Sequence, residues 1–124
     1  MDFKEYIKES STVIKTGRYV YHKANPKYRS DIFKLGIRAF SGNARTGKYS
    51  DGTNLVFATN SNKEDDWFDS TWDDDTWKID TSKIKNVVWS KDENYGPNYK
   101  HIVTTSDIPK SAIKLIYKGT GDDN

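Results

Sequence analysis

No cysteine occurs in this sequence. That excludes a disulfide framework and a thiolate metal site, and it fits an intracellular protein. No apolar run approaches the length that crosses a bilayer and no signal peptide is visible, so the chain reads as soluble. Charge of one sign is missing too: 20 Lys and Arg against 18 Asp and Glu leave a formal net charge of +2. A dedicated DNA-binding protein usually carries a basic excess, so nucleic acid is not an expected partner. There are only two histidines, His22 and His101, and two alone do not complete a zinc site. Aliphatic residues are scarce, which predicts a small and largely aromatic core.

What is present is a chain of one-domain length, rich in Trp, Tyr and Phe. Its centre of organisation is Leu55-Val56-Phe57-Ala58-Thr59-Asn60, an apolar, β-favouring run. That run opens onto Asp65-Asp66-Trp67-Phe68-Asp69 and then Trp72-Asp73-Asp74-Asp75-Thr76-Trp77, where large aromatics alternate with acid. A strand leading into an aromatic, charged loop is a frequent way to build a binding wall. Trp77 and Trp72 read as core or interface residues bracketing solvated Asp73 to Asp75.

Taken in order, Arg18-Tyr19-Val20-Tyr21-His22 reads as a strand. Asn25-Pro26 is a helix start, because Asn caps free N–H groups and Pro lacks a donor where none is needed. Tyr28, Ile32 and Leu35 line one helical face, and Gly36 supplies the stop. Residues 38–54 read as a polar loop. Further strands are expected at Thr76 to Asp80, Val87 to Trp89, His101 to Thr105 and Ile113 to Tyr117. One helix near the front followed by strands gives a β-rich α+β class. The expected divisions are an N-terminal appendage at 1–17, a domain at 18–118 and a fraying tail at 119–124.

Residue chemistry alone singles out little. The acidic segment lacks the alternating Asp/Asn spacing and central Gly of a calcium loop. Nothing picks out a pair of carboxylates held across a cleft, and no nucleophile–His–acid spacing stands out. The glycines of the polar loop do not match a phosphate-binding fingerprint.

The order of the pieces resembles the ADP-ribosyltransferase-like fold, in the branch that includes the poly(ADP-ribose) polymerases. The resemblance runs from about Tyr19 to Tyr117 and rests on Tyr21-His22, the capped helix ending Leu35-Gly36-Ile37, Leu55 to Thr59, His101-Ile102-Val103 and Ala112 to Ile116. It implies that Tyr21, His22, Phe57, Thr59 and Trp67 hold NAD or a related nucleotide, with His22 and His101 as the candidate catalytic groups. Two positions depart from the family pattern. Val56 stands where a ring-stacking Tyr belongs, and Lys100-His101 stands where a Glu begins the late strand. The paired Arg-His opening of the RNA 2′-phosphotransferases is not reproduced by Tyr21-His22.

Several stretches are also similar to small proteins of marine tailed phages, among them Val56 to Ser61 and Leu115 to Gly121. The N-terminus is similar to phage head-targeting segments, with Ile7-Lys8-Glu9 matching a maturation-protease motif that would remove residues 1–9. These resemblances imply host cytoplasm or virion as the location. They also imply a rival role, a non-enzymatic head or capsid-associated protein that uses the aromatic-acidic loop as a contact surface. A phage inhibitor that sequesters a host nucleotide signal would share the pocket without turnover.

Overall fold

β-Branched and aromatic residues form most of the ladder positions, as the pleated, half-buried surface of a sheet favours. The structure is a computed structural model and describes residues 13–39, 55–60, 73–91 and 100–122. Its strands are β1 (Tyr19–Ala24), β2 (Val56–Thr59), β3 (Asp75–Asp80), β4 (Ser90–Lys91), β5 (His101–Thr104) and β6 (Ile113–Tyr117). They make one six-stranded sheet in the order β4-β5-β2-β1-β3-β6. Every pairing is antiparallel. With one α-helix among the described residues, this is a β-rich α+β fold, as the sequence predicts.

The front helix forms where its start and stop signals stand. The Asn25 side chain accepts from Lys27 N at 3.1 Å and caps a short 3-10 turn, Pro26–Tyr28. That turn runs directly into helix α1 (Arg29–Leu35). Gly36 ends it at φ 84°, in the left-handed region that favours glycine. Of the expected apolar face only Ile32 is buried, while Leu35 is 52% exposed. The helix meets the sheet through Ile32, which joins the core cluster, and through the half-exposed Phe33, whose ring lies edge-on to Trp77 with centroids 5.0 Å apart.

One face of the sheet carries Val20, Val56, Ala58, Trp77, Ile79 and Ile102, all buried. Burying a side chain of this class stabilises by about 1.5–3 kcal/mol. Beyond the helix, Ile37 and Ile108 exchange two backbone hydrogen bonds and close over the core with Ala112. Among the described residues the core is mainly Ile and Val, with Trp77, Trp89 and Tyr21 the buried aromatics. The aliphatics occupy the inward register positions, while Tyr19 and Tyr28 are half-buried and Tyr117 is exposed. Trp77 Nε1 is buried with no acceptor among the described residues.

Two expectations are corrected. Val87 to Trp89 is not a strand; Val87 N bonds Ile84 O in a turn, and Val88 is 51% exposed. The ladder begins one residue later, where Ser90 pairs with Val103 on one side and bridges to Val13 on the other. Asp73 to Asp75 is not a solvated acidic block, since Asp74 and Asp75 are buried. Arg29 grips Asp75 with two hydrogen bonds of 2.8 and 2.7 Å, and Gly119 N donates to the same carboxylate at 2.8 Å. Asp73 accepts from Tyr117 Oη at 2.5 Å and from Thr120 N and Oγ1 at 3.0 Å. The backbones of Asp73 and of Gly121 and Asp122 are bonded as well, so Gly119 to Asp122 fold back onto the start of β3.

No described helix is long and apolar enough to cross a membrane.

Candidate functional site

The sheet aligns residues that are far apart in sequence. Tyr21 of β1 stands directly opposite Thr59 of β2, and Thr59 stands directly opposite His101 of β5. Directly paired residues share a face, so these three side chains form one row across adjacent strands. Strands are about 4.8 Å apart, which makes the row about 10 Å long. Thr59 and Tyr21 are buried, and His101 is half-buried at its end. On the same face Phe57 lies two residues along β2 from Thr59, opposite Val103.

The row does not stop at β1. Tyr21 also pairs with Lys78 of β3, and Lys78 pairs with Lys114 of β6. The full sequence across the face is His101, Thr59, Tyr21, Lys78, Lys114. It presents an imidazole, two hydroxyls and two ammonium groups along one line.

His22 is not part of it. Successive residues of a strand point to opposite faces, so His22 projects from the face that carries Trp77, its partner across β3. Its Nδ1 lies 2.6 Å from the Phe57 carbonyl oxygen. A carbonyl only accepts, so Nδ1 carries the proton and the neutral ring presents Nε2 as acceptor. Burial pushes the His22 pKa below its ordinary value, and the Phe57 carbonyl and Asp74 only partly oppose that shift. The two histidines therefore stand on opposite sides of the sheet. A site that needs both imidazoles on one ligand atom does not arise from this register.

Burial, and secondly Tyr19, raises the pKa of Tyr21, so its phenol stays protonated and remains a donor. Trp67, the aromatic expected to cover a ligand, lies outside the described residues, as does Trp72. Among the described residues no group of three His, Asp or Glu side chains could hold a metal ion. A shallow groove of ≈ 270 Å³ between Val13 to Thr16 and Thr81 to Trp89 lies away from the row, and none of the sequence-selected residues lines it.

Lys78 and Lys114 escaped the sequence reading. Their signal is an alternation, Trp77-Lys78-Ile79 and Ile113-Lys114-Leu115, that turns each lysine away from the core. Alternation gives the face of each strand but not which strands are neighbours. Searches of family models, curated proteins and solved structures find no match to this chain.

Proposed function

We propose that this chain is a small ADP-ribosyltransferase-like domain that binds NAD or a related nucleotide along the face bearing Tyr21, Thr59 and His101. One observation carries the reading. The three stretches on which the resemblance rests most heavily, Tyr21-His22, Phe57 to Thr59 and His101 to Val103, lie on strands that are neighbours in the order β5-β2-β1. Segments separated by long stretches of chain meet where a shared ligand would need them.

The chemistry available favours binding over turnover. Breaking the glycosidic bond of NAD develops positive charge on the ribose, and a carboxylate beside it stabilises that charge. The beginning of β5 offers Lys100 and His101 instead. Their hydrogen-bonding groups suit ribose hydroxyls and phosphate oxygens. Neither group supplies the missing negative charge. In this reading His101 contacts the ligand, while His22 supports the site from behind by fixing the Phe57 carbonyl of β2.

Isothermal titration with NAD and with ADP-ribose tests the proposal. Saturable heat with both ligands and no release of nicotinamide supports it. Absence of binding at millimolar ligand refutes it, and release of nicotinamide refutes the part that assigns binding alone.

A further inference from the structure

Lys78 and Lys114 stand directly opposite each other on β3 and β6. Like charges at directly opposed positions destabilise a sheet, so this pairing works against the fold. The carboxylate two residues along β3 on that face is already engaged. Asp80 is held by Ser82 Oγ at 2.6 Å and by Arg18 at 3.3–3.4 Å. The Tyr19 ring offers partial relief, with Lys78 Nζ 3.9 Å from its centroid, and Arg18 lies 5.2 Å from the same ring. Lys114 is exposed. An edge lysine that wards off strand-to-strand aggregation accounts for Lys114 alone. It does not account for Lys78, which lies on the inner strand β3 with its ammonium over the Tyr19 ring.

We propose that Lys78 and Lys114, with Arg18 and Tyr19 beside them, form a subsite for a diphosphate. The two lysines are rooted about 5 Å apart at their Cβ atoms, and their flexible stems give the ammonium groups the reach to meet on two linked phosphates, where a bound dianion turns their mutual repulsion into attraction. The subsite lies at the end of the row that runs through Tyr21 and Thr59 to His101. From Lys114 to His101 is four strand spacings, about 19 Å, with Tyr21 and Thr59 buried between them. The identity of the whole ligand rests on the nucleotide reading. The anion subsite stands on the lysine geometry.

Inorganic pyrophosphate separates the two. Amide correlation NMR of the full chain, titrated with pyrophosphate, is expected to shift Tyr19, Lys78 and Lys114 saturably at low ionic strength. In Lys78→Gln/Lys114→Gln the affinity is expected to fall by about tenfold or more, while Lys34→Gln, at an exposed lysine of α1, leaves it unchanged. Circular dichroism of the lysine variant is expected to show a fold at least as stable as the parent, because a like-charge pair has been removed. Pyrophosphate binding without NAD binding keeps the subsite and refutes the nucleotide reading. Absence of shifts at these residues, or shifts that persist in the double variant, overturns the subsite.

Discussion

His22 donates its Nδ1 proton to the Phe57 carbonyl across a gap of 2.6 Å. The imidazole that the sequence marks for a ligand is thus committed to the backbone of the neighbouring strand. Only Tyr21 and Thr59 are registered as a pair between β1 and β2, and the His22 side chain adds a bond beyond that point. Its role is to hold two central strands together on the buried face.

The lowered His22 pKa makes stability depend on pH. The unfolded chain takes up a proton near the ordinary value of 6.5, while the folded ring resists it to lower pH. In that window the unfolded state binds more protons, so this contribution is complete above about 6.5 and declines as pH falls through the window. Thermal melts below that pH are expected to shift downward in the parent and less in His22→Gln. An equal slope in both would remove His22 from the account.

Asp80 has the opposite chemistry and its own window. Hydrogen bonds from Ser82, and then from Arg18, lower its pKa from 3.8 to about 2. A depressed carboxylate pKa contributes stability that is complete above the unfolded value and lost as pH falls through the folded one. Melting temperature is therefore expected to drop between those two values, and Asp80→Asn is expected to flatten that part of the profile. Asp73, depressed chiefly by the Tyr117 hydroxyl, acts in the same direction, so Asp73→Asn/Asp80→Asn is the stronger comparison.

Arg29 and Asp75 form the clasp between the helix start and the sheet. Asp75 is fully buried and Arg29 is mostly covered. Removing Arg29 leaves the buried Asp75 carboxylate without its guanidinium, so Arg29→Met is expected to destabilise the fold. A denaturant titration reads this as a lower midpoint at unchanged slope. A cost within experimental error would mean that the pair is dispensable.

Gly119 is needed for the same clasp. A Cβ there would collide with the Asp73 carbonyl and the Asp74 backbone, whereas one at Gly17 would meet nothing. Gly119→Ala is expected to lower the melting temperature by several degrees, and Gly17→Ala to leave it near the parent value. Proteolysis of the C-terminus should accelerate only in the first variant.

Local signals were readable where local chemistry decides the outcome. Asn25-Pro26 and Gly36 bound the helix segment, and the runs at Tyr19, Val56, His101 and Ile113 became strands. Leu35 is exposed, because helical spacing shows that residues share a face, not that a partner covers all of it. Asp73 to Asp75 was misjudged because solvation there is decided from afar. Arg29 arrives from 46 residues away and Gly119 from 44. The candidate site was half legible for the same reason. Tyr21, Thr59 and His101 were named from the sequence, but the split between His22 and His101 and the place of Lys78 and Lys114 follow from strand register, which no local pattern encodes.

The central claim is a nucleotide ligand on the row from His101 to Lys114. Mapping ADP-ribose by amide correlation NMR tests it most directly, because the readout is positional. The account predicts saturable shifts at Tyr21, Thr59, Lys78 and His101, weakened by about tenfold in His101→Ala with the fold intact. Absence of shifts at millimolar ADP-ribose, or shifts confined to residues away from this row, would contradict it.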